Sequence, residues 1–322
     1  MKILVVGGAG YIGSHFVLEA SRAGHNVVVF DDLSSGFKNN IDTEIDFFEG
    51  STLSNKNLSE VMTSSSFDVA VYLAAYKAAG ESMSDPIKYA SNNIIGGLNF
   101  LKACVEYNVK KVIFSSSAAV YGLPLYTPID ELHSLRPINF YGYTKKVIEE
   151  NLKWYSDLKN IRYASLRYFN AAGYDSDKQS LNKENNPQNL IPLVMEVAEG
   201  SRELLQVYGN DYSTLDGTGV RDYIHVTDLA QGHLASIDYL FQNDNNLTIN
   251  LGTGRGHSVF EIIKMTEAIS KRKINFKVSR RRDGDPDVVV ASSEKAKQLI
   301  NWSPSNSDLS NIIGSTWKIY NR

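Results

Sequence analysis

"ILVVGGAGYIGSH", residues 3–15, starts as an apolar strand and becomes, across three spaced glycines, the head of a helix. Gly7, Gly10 and Gly13 form a G-x-x-G-x-x-G array. The first glycine permits a tight turn, the second lets backbone approach a pyrophosphate, and the third lets helix and strand pack closely. A helix N-terminus there offers N–H groups and a positive dipole end to phosphate. Three glycines alone also suit a plain structural turn, so the surroundings decide. The next apolar run, "NVVVFDD", carries Asp31, eighteen positions after Gly13. A carboxylate at that place accepts hydrogen bonds from adenosine ribose hydroxyls and repels a 2'-phosphate, which favours NAD over NADP.

Outward from this loop, short β-branched runs alternate with amphipathic segments. "KILVV", "NVVVF", "VAVYLA", "KVIFSSS" and "YASLRYF" read as strands buried on both faces, as parallel strands are. Helices are expected at 14–23, 92–107 and 143–158. The alternation predicts a Rossmann-type, doubly wound parallel α/β sheet over residues 1–173, with some later segments returning to it. A polar loop follows at 174–189. Shorter elements then make a smaller α/β substrate domain, 174–322, with further helices near 189–199 and 258–270.

The 322 residues are 43% hydrophobic and 21% charged, with a formal net charge of -3. That balance gives no drive toward nucleic acid or anionic membrane, the short run Arg280–Arg282 being the local exception. Cys104 is the only cysteine, which excludes an intrachain disulfide and a cysteine metal cluster, and no metal is expected. The N-terminus meets glycine too soon for a signal-peptide core, and no run is long enough to span a bilayer, so the expected compartment is the cytoplasm.

"KVIFSSSAAVYG" brings three serines to a strand's C-terminal end, where open α/β sheets place ligands. "NFYGYTKKVIEE", residues 139–150, follows with two tyrosine–lysine pairs at helical spacing. The glycine array, the strand-end serine and Y-x-x-x-K together resemble the extended short-chain dehydrogenase/reductase superfamily. That resemblance implies Ser117, Tyr141 and Lys145 as the catalytic set. The residue types suit the work: a phenol of pKa about 10 needs roughly a three-unit depression, about 4 kcal/mol, to take a hydroxyl proton at neutral pH. A lysine ammonium and an oxidised nicotinamide have the right charge to supply it. Tyr143 has Val147, not lysine, four positions on, and with Lys146 reads as helix surface.

"VYGNDYSTLDGTGVRDYIHVTDLAQGH", residues 207–233, closely resembles the UDP-glucose (UDP-galactose) 4-epimerase family. "GGAGYIGSH", "KAAGESMSDP", "LRYFNAAG", "NLIP" and "INLGTGRGHSV" have counterparts in order along almost the whole chain. The resemblance implies an NAD site of Gly7, Gly10, Tyr11, Ile12, Gly13, Asp31, Ser51, Leu73, Lys77, Asn92, Tyr141, Lys145 and Tyr168. It implies a UDP-sugar site in which Asn170, Asn189 and Leu190 hold the sugar nucleotide and Val207 and Tyr208 flank the uracil. Arg221 and Arg282 would neutralise the diphosphate, Asp285 would reach the uridine ribose, and Lys77, Ser117 and Tyr141 would also meet substrate. Arginine forks suit phosphate oxygens, and a carboxylate suits ribose hydroxyls. His225 and Asp228 are expected to start and cap a helix from Leu229. The family usually has Asp where this chain has Ser51, and the loop after "NAAG" departs from the family's pattern.

The same resemblance implies an isomerase that passes through a transient 4-keto sugar, with NAD retained and no net redox. The family's wall position in the sugar pocket is Val289 here. A small residue leaves room for an acetamido group and extends the expected range from UDP-glucose and UDP-galactose to UDP-GlcNAc and UDP-GalNAc. The 4,6-dehydratases of this superfamily carry an Asp-Glu pair just after the strand-end hydroxyls, and Ala118 and Ala119 stand there instead. A catalytically dead NAD sensor would lack Tyr141 or Lys145, and both are present. Wide apolar stripes at 92–107 and 143–158, together with the family's habit, imply a homodimer.

Overall fold

A computed structural model describes residues 1–175, 177, 181–184, 187–282 and 284–322. Part of the expected 174–189 loop therefore lies outside the described residues. In chain order the strands are β1 (Lys2–Val6), β2 (Asn26–Asp31), β3 (Asp46–Glu49), β4 (Val69–Tyr72), β5 (Lys111–Ser117) and β6 (Arg162–Tyr168). Then come β7 (Asn170–Ala172), β8 (Leu205–Tyr208), β9 (Val220–His225), β10 (Leu247–Leu251), β11 (Gly256–Ser258), β12 (Phe276–Ser279) and β13 (Val288–Val289).

Seven of these form one parallel sheet in the order β3-β2-β1-β4-β5-β6-β10. In β1, β2 and β4 strand residues alternate between two covered faces, the reason those runs read as nearly continuous apolar stretches. Ile3, Val5, Val27 and Val29 pack with the helices Tyr11–Arg22 and Val226–Asn243. Leu4, Val6, Val28 and Phe30 pack with Asn55–Thr63, Gly96–Glu106 and Phe140–Lys159. Each such side chain contributes roughly 1.5–3 kcal/mol on burial. The strand order reverses between β1 and β4, which opens a crevice at their C-terminal ends.

The helices Leu190–Glu199, Val259–Ser270 and Leu309–Tyr320 enclose a separate core around Ile191, Val194, Ile262 and Ile312. Against it lie β9, paired with β7, β11 and β13, and the parallel pair β8–β12. Several helix starts differ from expectation, the one expected at 14–23 falling at Tyr11. The helix expected at 143–158 begins at Phe140, because Asn139 caps it by accepting the Gly142 N–H at 2.8 Å. The helix expected from Leu229 begins at Val226, with the His225 ring as its cap. The one expected at 92–107 is entered through a wider π-helical turn, Ala90–Ile95. Among the described residues no helix is long and apolar enough to cross a membrane.

Candidate active site

The glycine loop joins β1 to the first helix at the mouth of the crevice. Gly7 has φ 83°, and a Cβ there would lie 2.5 Å from the Ala74 nitrogen, so only glycine fits against the end of β4. Leu73 and Ala74 both donate to the Val6 carbonyl, which sets that edge of the crevice. A Cβ on Gly13 would stand 2.1 Å from the Gly7 oxygen, so the helix can close on the turn only through glycine. A Cβ on Gly10 would meet only the Gly7 oxygen, at 3.5 Å. Gly10 caps the helix with no side-chain bond to its first N–H groups, and the loop presents bare backbone to the crevice. A pyrophosphate fits this cradle.

Asp31, at the tip of β2, is nearly buried. Its carboxylate accepts the Ala9 and Leu33 N–H groups at 2.9 and 2.8 Å. Burial raises its pKa, and these two bonds oppose the rise. Asp31 thus ties the glycine loop to β2, leaving further lone pairs for ribose hydroxyls. The Ser51 hydroxyl accepts the Leu53 N–H at 3.2 Å, within the loop after β3. Lys77 pairs with Glu184 and stands 5.7 Å over the Tyr11 ring, whose phenol donates to the Gly173 carbonyl.

The catalytic candidates converge above β5. Ser117 ends the strand, and its Oγ accepts the Ala119 N–H at 3.1 Å. Tyr141 lies in the first turn of its helix, its N–H donating to Ser82 Oγ at 3.0 Å. Lys145, one turn on, donates from Nζ to the Ser115 carbonyl at 2.7 Å and stands 5.9 Å from the Tyr141 ring centroid. Burial pushes the Tyr141 phenol up, and the Ser117 hydroxyl beside it acts the other way. Burial pushes Lys145 down to about 7, with Glu149 opposing. Desolvation by the protein therefore disfavours both charged forms, so a bound positive group has to supply part of the phenol's activation.

Several supporting residues were not singled out by the sequence. Gly142 lets the helix approach the turn after Ser117: a Cβ there would sit 2.4 Å from the Ala119 oxygen. Asn93, turned inward by the π-helical turn, bonds both backbone groups of Tyr76 and Thr144 Oγ1. Asn92 donates to its side chain at 3.2 Å. Glu149 accepts from Ser116 at 2.6 Å and pairs with buried Arg167 at 2.7 Å, which pins the helix to β5 and β6. Tyr143 is exposed and Lys146 pairs with Glu150 at 3.7 Å, so this second tyrosine–lysine pair faces away.

In the second region, Arg221 is the second residue of β9 and lies beside Val289 of β13, its register partner. Asn170 donates to the Asp222 carbonyl at 3.2 Å. Asn189 precedes the helix Leu190–Glu199, and Leu190 packs partly into its core. Tyr208 is exposed, with the Arg282 guanidinium 4.0 Å over its ring. The Asp285 N–H donates to the Arg282 carbonyl at 3.2 Å, which closes the turn between them. Two of the expected residues have buried side chains. Val207 alternates inward on β8. The Tyr168 phenol is bonded to His233 in the core.

A family model described as "NAD dependent epimerase/dehydratase family" matches residues 3–252. The chain belongs to that family. A UDP-glucose 4-epimerase of Halalkalibacterium halodurans is 40% identical, covering 98% of this chain and 95% of its own. The crystal structure of UDP-glucose 4-epimerase from Brucella ovis in complex with NAD has a TM-score of 0.96 and 41% identity, over 99% of this chain and 98% of that one. The UDP-Glc/GlcNAc 4-epimerase of Campylobacter jejuni has a TM-score of 0.87 and 36% identity, over 99% of each chain. This chain therefore matches epimerases of known structure over nearly their full length.

Proposed function

We propose that the chain is an NAD-dependent UDP-hexose 4-epimerase that interconverts UDP-glucose and UDP-galactose. The observation that carries this reading is the convergence of Ser117, Tyr141 and Lys145 at the end of β5, two strands along the sheet from β1 and its glycine loop. The division of labour follows the fold, with residues 1–173 and the returning elements holding cofactor and the 174–322 region holding UDP-sugar.

Bound NAD supplies an acceptor and donor of hydride at the sugar's C4 and a positive charge near the phenol. Lys145, held by the Ser115 carbonyl, keeps a cationic or hydrogen-bonding nitrogen beside Tyr141. Tyr141 takes the proton from the 4-hydroxyl and later returns it, while Ser117 orients the reacting oxygen. Arg221, Arg282, Asp285 and the Val207–Tyr208 segment grip UDP. The grip lies remote from C4, so the transient 4-keto sugar can turn and present its other face. Gly7, Gly10, Tyr11, Ile12, Gly13, Asp31, Ser51, Leu73, Lys77, Asn92 and Tyr168 line the proposed cofactor side.

Val289, small and half-buried, supports turnover of UDP-GlcNAc and UDP-GalNAc as well. Exposed Ile95, Trp154 and Leu158 support a homodimer built on the helices Gly96–Glu106 and Phe140–Lys159, as does a groove of about 320 Å³ lined by Val105, Trp154, Tyr155 and Leu158. The test is to purify the protein, measure retained nucleotide, and follow both the hexose and the N-acetylhexosamine pairs. Retained NAD without epimerisation would favour an NAD sensor; no turnover of the acetylated pair would refute the wider range.

A further inference from the structure

We infer that Asp222 is a positioning residue that sets the spacing of the UDP-sugar wall. The inference rests on the epimerase reading above and names a residue on which that site depends. Asp222 lies between Arg221 and Tyr223 on β9 and has 0% exposure. Oδ1 accepts the Thr253 N–H at 2.9 Å and its hydroxyl at 2.6 Å. Oδ2 accepts the N–H groups of Thr253, Gly254 and Ala291 at 3.1, 3.0 and 3.1 Å. Burying a carboxylate is costly unless hydrogen bonds replace its water, and here neutral donors from two distant segments do so.

What those bonds hold is the wall itself. Ala291 is two residues past Val289, and Val289 is registered against Arg221. The Asp222 carbonyl meanwhile accepts from Asn170. A Cβ on Gly252 would lie 2.5 Å from the Ala291 Cβ and 2.9 Å from Asp222 Oδ2, so the two clamped segments touch with no slack. Beyond them, Ile129 bonds Val290 and Ser292 at 2.8 and 2.7 Å, continuing the clamp into the loop after β5. The carboxylate thus clamps the 253–254 turn and the end of the β13 segment onto β9, the strand of the proposed phosphate arginine, while the main chain of the same residue holds the proposed sugar asparagine.

Asp222→Asn is the test. Both oxygens accept backbone N–H groups, so either orientation of an amide turns its NH₂ toward a donor. We expect the Kd for UDP, by calorimetry on the NAD-loaded protein, to rise about tenfold. KM for UDP-galactose should rise in step, with kcat within about threefold of the parent and the NAD content unchanged. Thr253→Val removes only the hydroxyl donor and should weaken UDP by about threefold in the same pattern. Parent-like UDP binding in Asp222→Asn would overturn the inference, as would joint loss of UDP, NAD and kcat. If Asp222→Asn does not fold, an unchanged Kd in Thr253→Val overturns it. A parent that binds no UDP refutes the epimerase reading, and with it the site that Asp222 is inferred to set.

Discussion

Gly142→Ala should damage catalysis far more than stability. Alanine is favoured over glycine in a helix by up to about 1 kcal/mol, so propensity alone predicts a gain. Space decides otherwise. The new Cβ would lie 2.4 Å from the Ala119 oxygen, where ordinary contact begins at 3.4 Å. Either the first turn of the helix Phe140–Lys159 or the turn after β5 must yield by roughly 1 Å, since both colliding groups are backbone. Tyr141 adjoins one side of that contact, and Ser117, bonded to Ala119, lies on the other. A displacement of that size between reacting groups costs on the order of a hundredfold in rate, about 2.7 kcal/mol of barrier. The assay is UDP-galactose conversion at saturating substrate, coupled to UDP-glucose dehydrogenase, with thermal melting and NAD content in parallel. Gly314→Ala is the control, because a Cβ there meets nothing within 4 Å. It should keep full rate and gain slightly in Tm. A kcat for Gly142→Ala within threefold of the parent would refute the view that this close approach sets the Tyr141–Ser117 geometry.

Tyr141→Phe should abolish epimerisation in the same assay, while Tyr143→Phe keeps most of it, since Tyr143 faces solvent. Lys145 is held near 7 by burial, below its unfolded value, so the unfolded chain binds the extra proton between those two values. Stability of the cofactor-free protein relative to Lys145→Met should therefore rise as pH goes from about 7 toward 10; equal urea midpoints for the pair at both ends would contradict this. Replacing Trp154 and Leu158 together with arginine should give a monomer by light scattering, with the melting temperature little changed, because both side chains are exposed in the single chain. An unchanged dimer would move the interface elsewhere.

Five strands of the parallel sheet were legible because they are apolar runs, buried along most of their length; β3, with both end residues exposed, and β10, with a polar residue inside it, were not. The cradle was legible because its glycines answer to local sterics. The start of the helix carrying Tyr141 was less so: its cap is a polar contact of Asn139, invisible to apolar periodicity, and it begins three residues before the stripe. Val207 and Tyr168 were named from motif position, and both side chains are buried. Burial alternates along β8, a two-residue period that reading the run as a strand would have shown. Asp222 and Asn93 could not have been found this way. Their partners lie far off in sequence, and a fully buried carboxylate in β9 explains itself only once Thr253 and Ala291 are beside it.

The route of the chain has a consequence for how the protein can be divided. After β6 it leaves the large sheet, returns with the helix Val226–Asn243 and β10, and leaves again toward β11 and β13. A fragment ending at residue 173 would strip the neighbour from β6 and uncover Ile3, Val5 and Leu166, which share a core with Leu229 and Ile237. An unpaired apolar edge of that kind invites aggregation. The first 173 residues therefore lack part of their own core, which the later helix Val226–Asn243 and β10 supply.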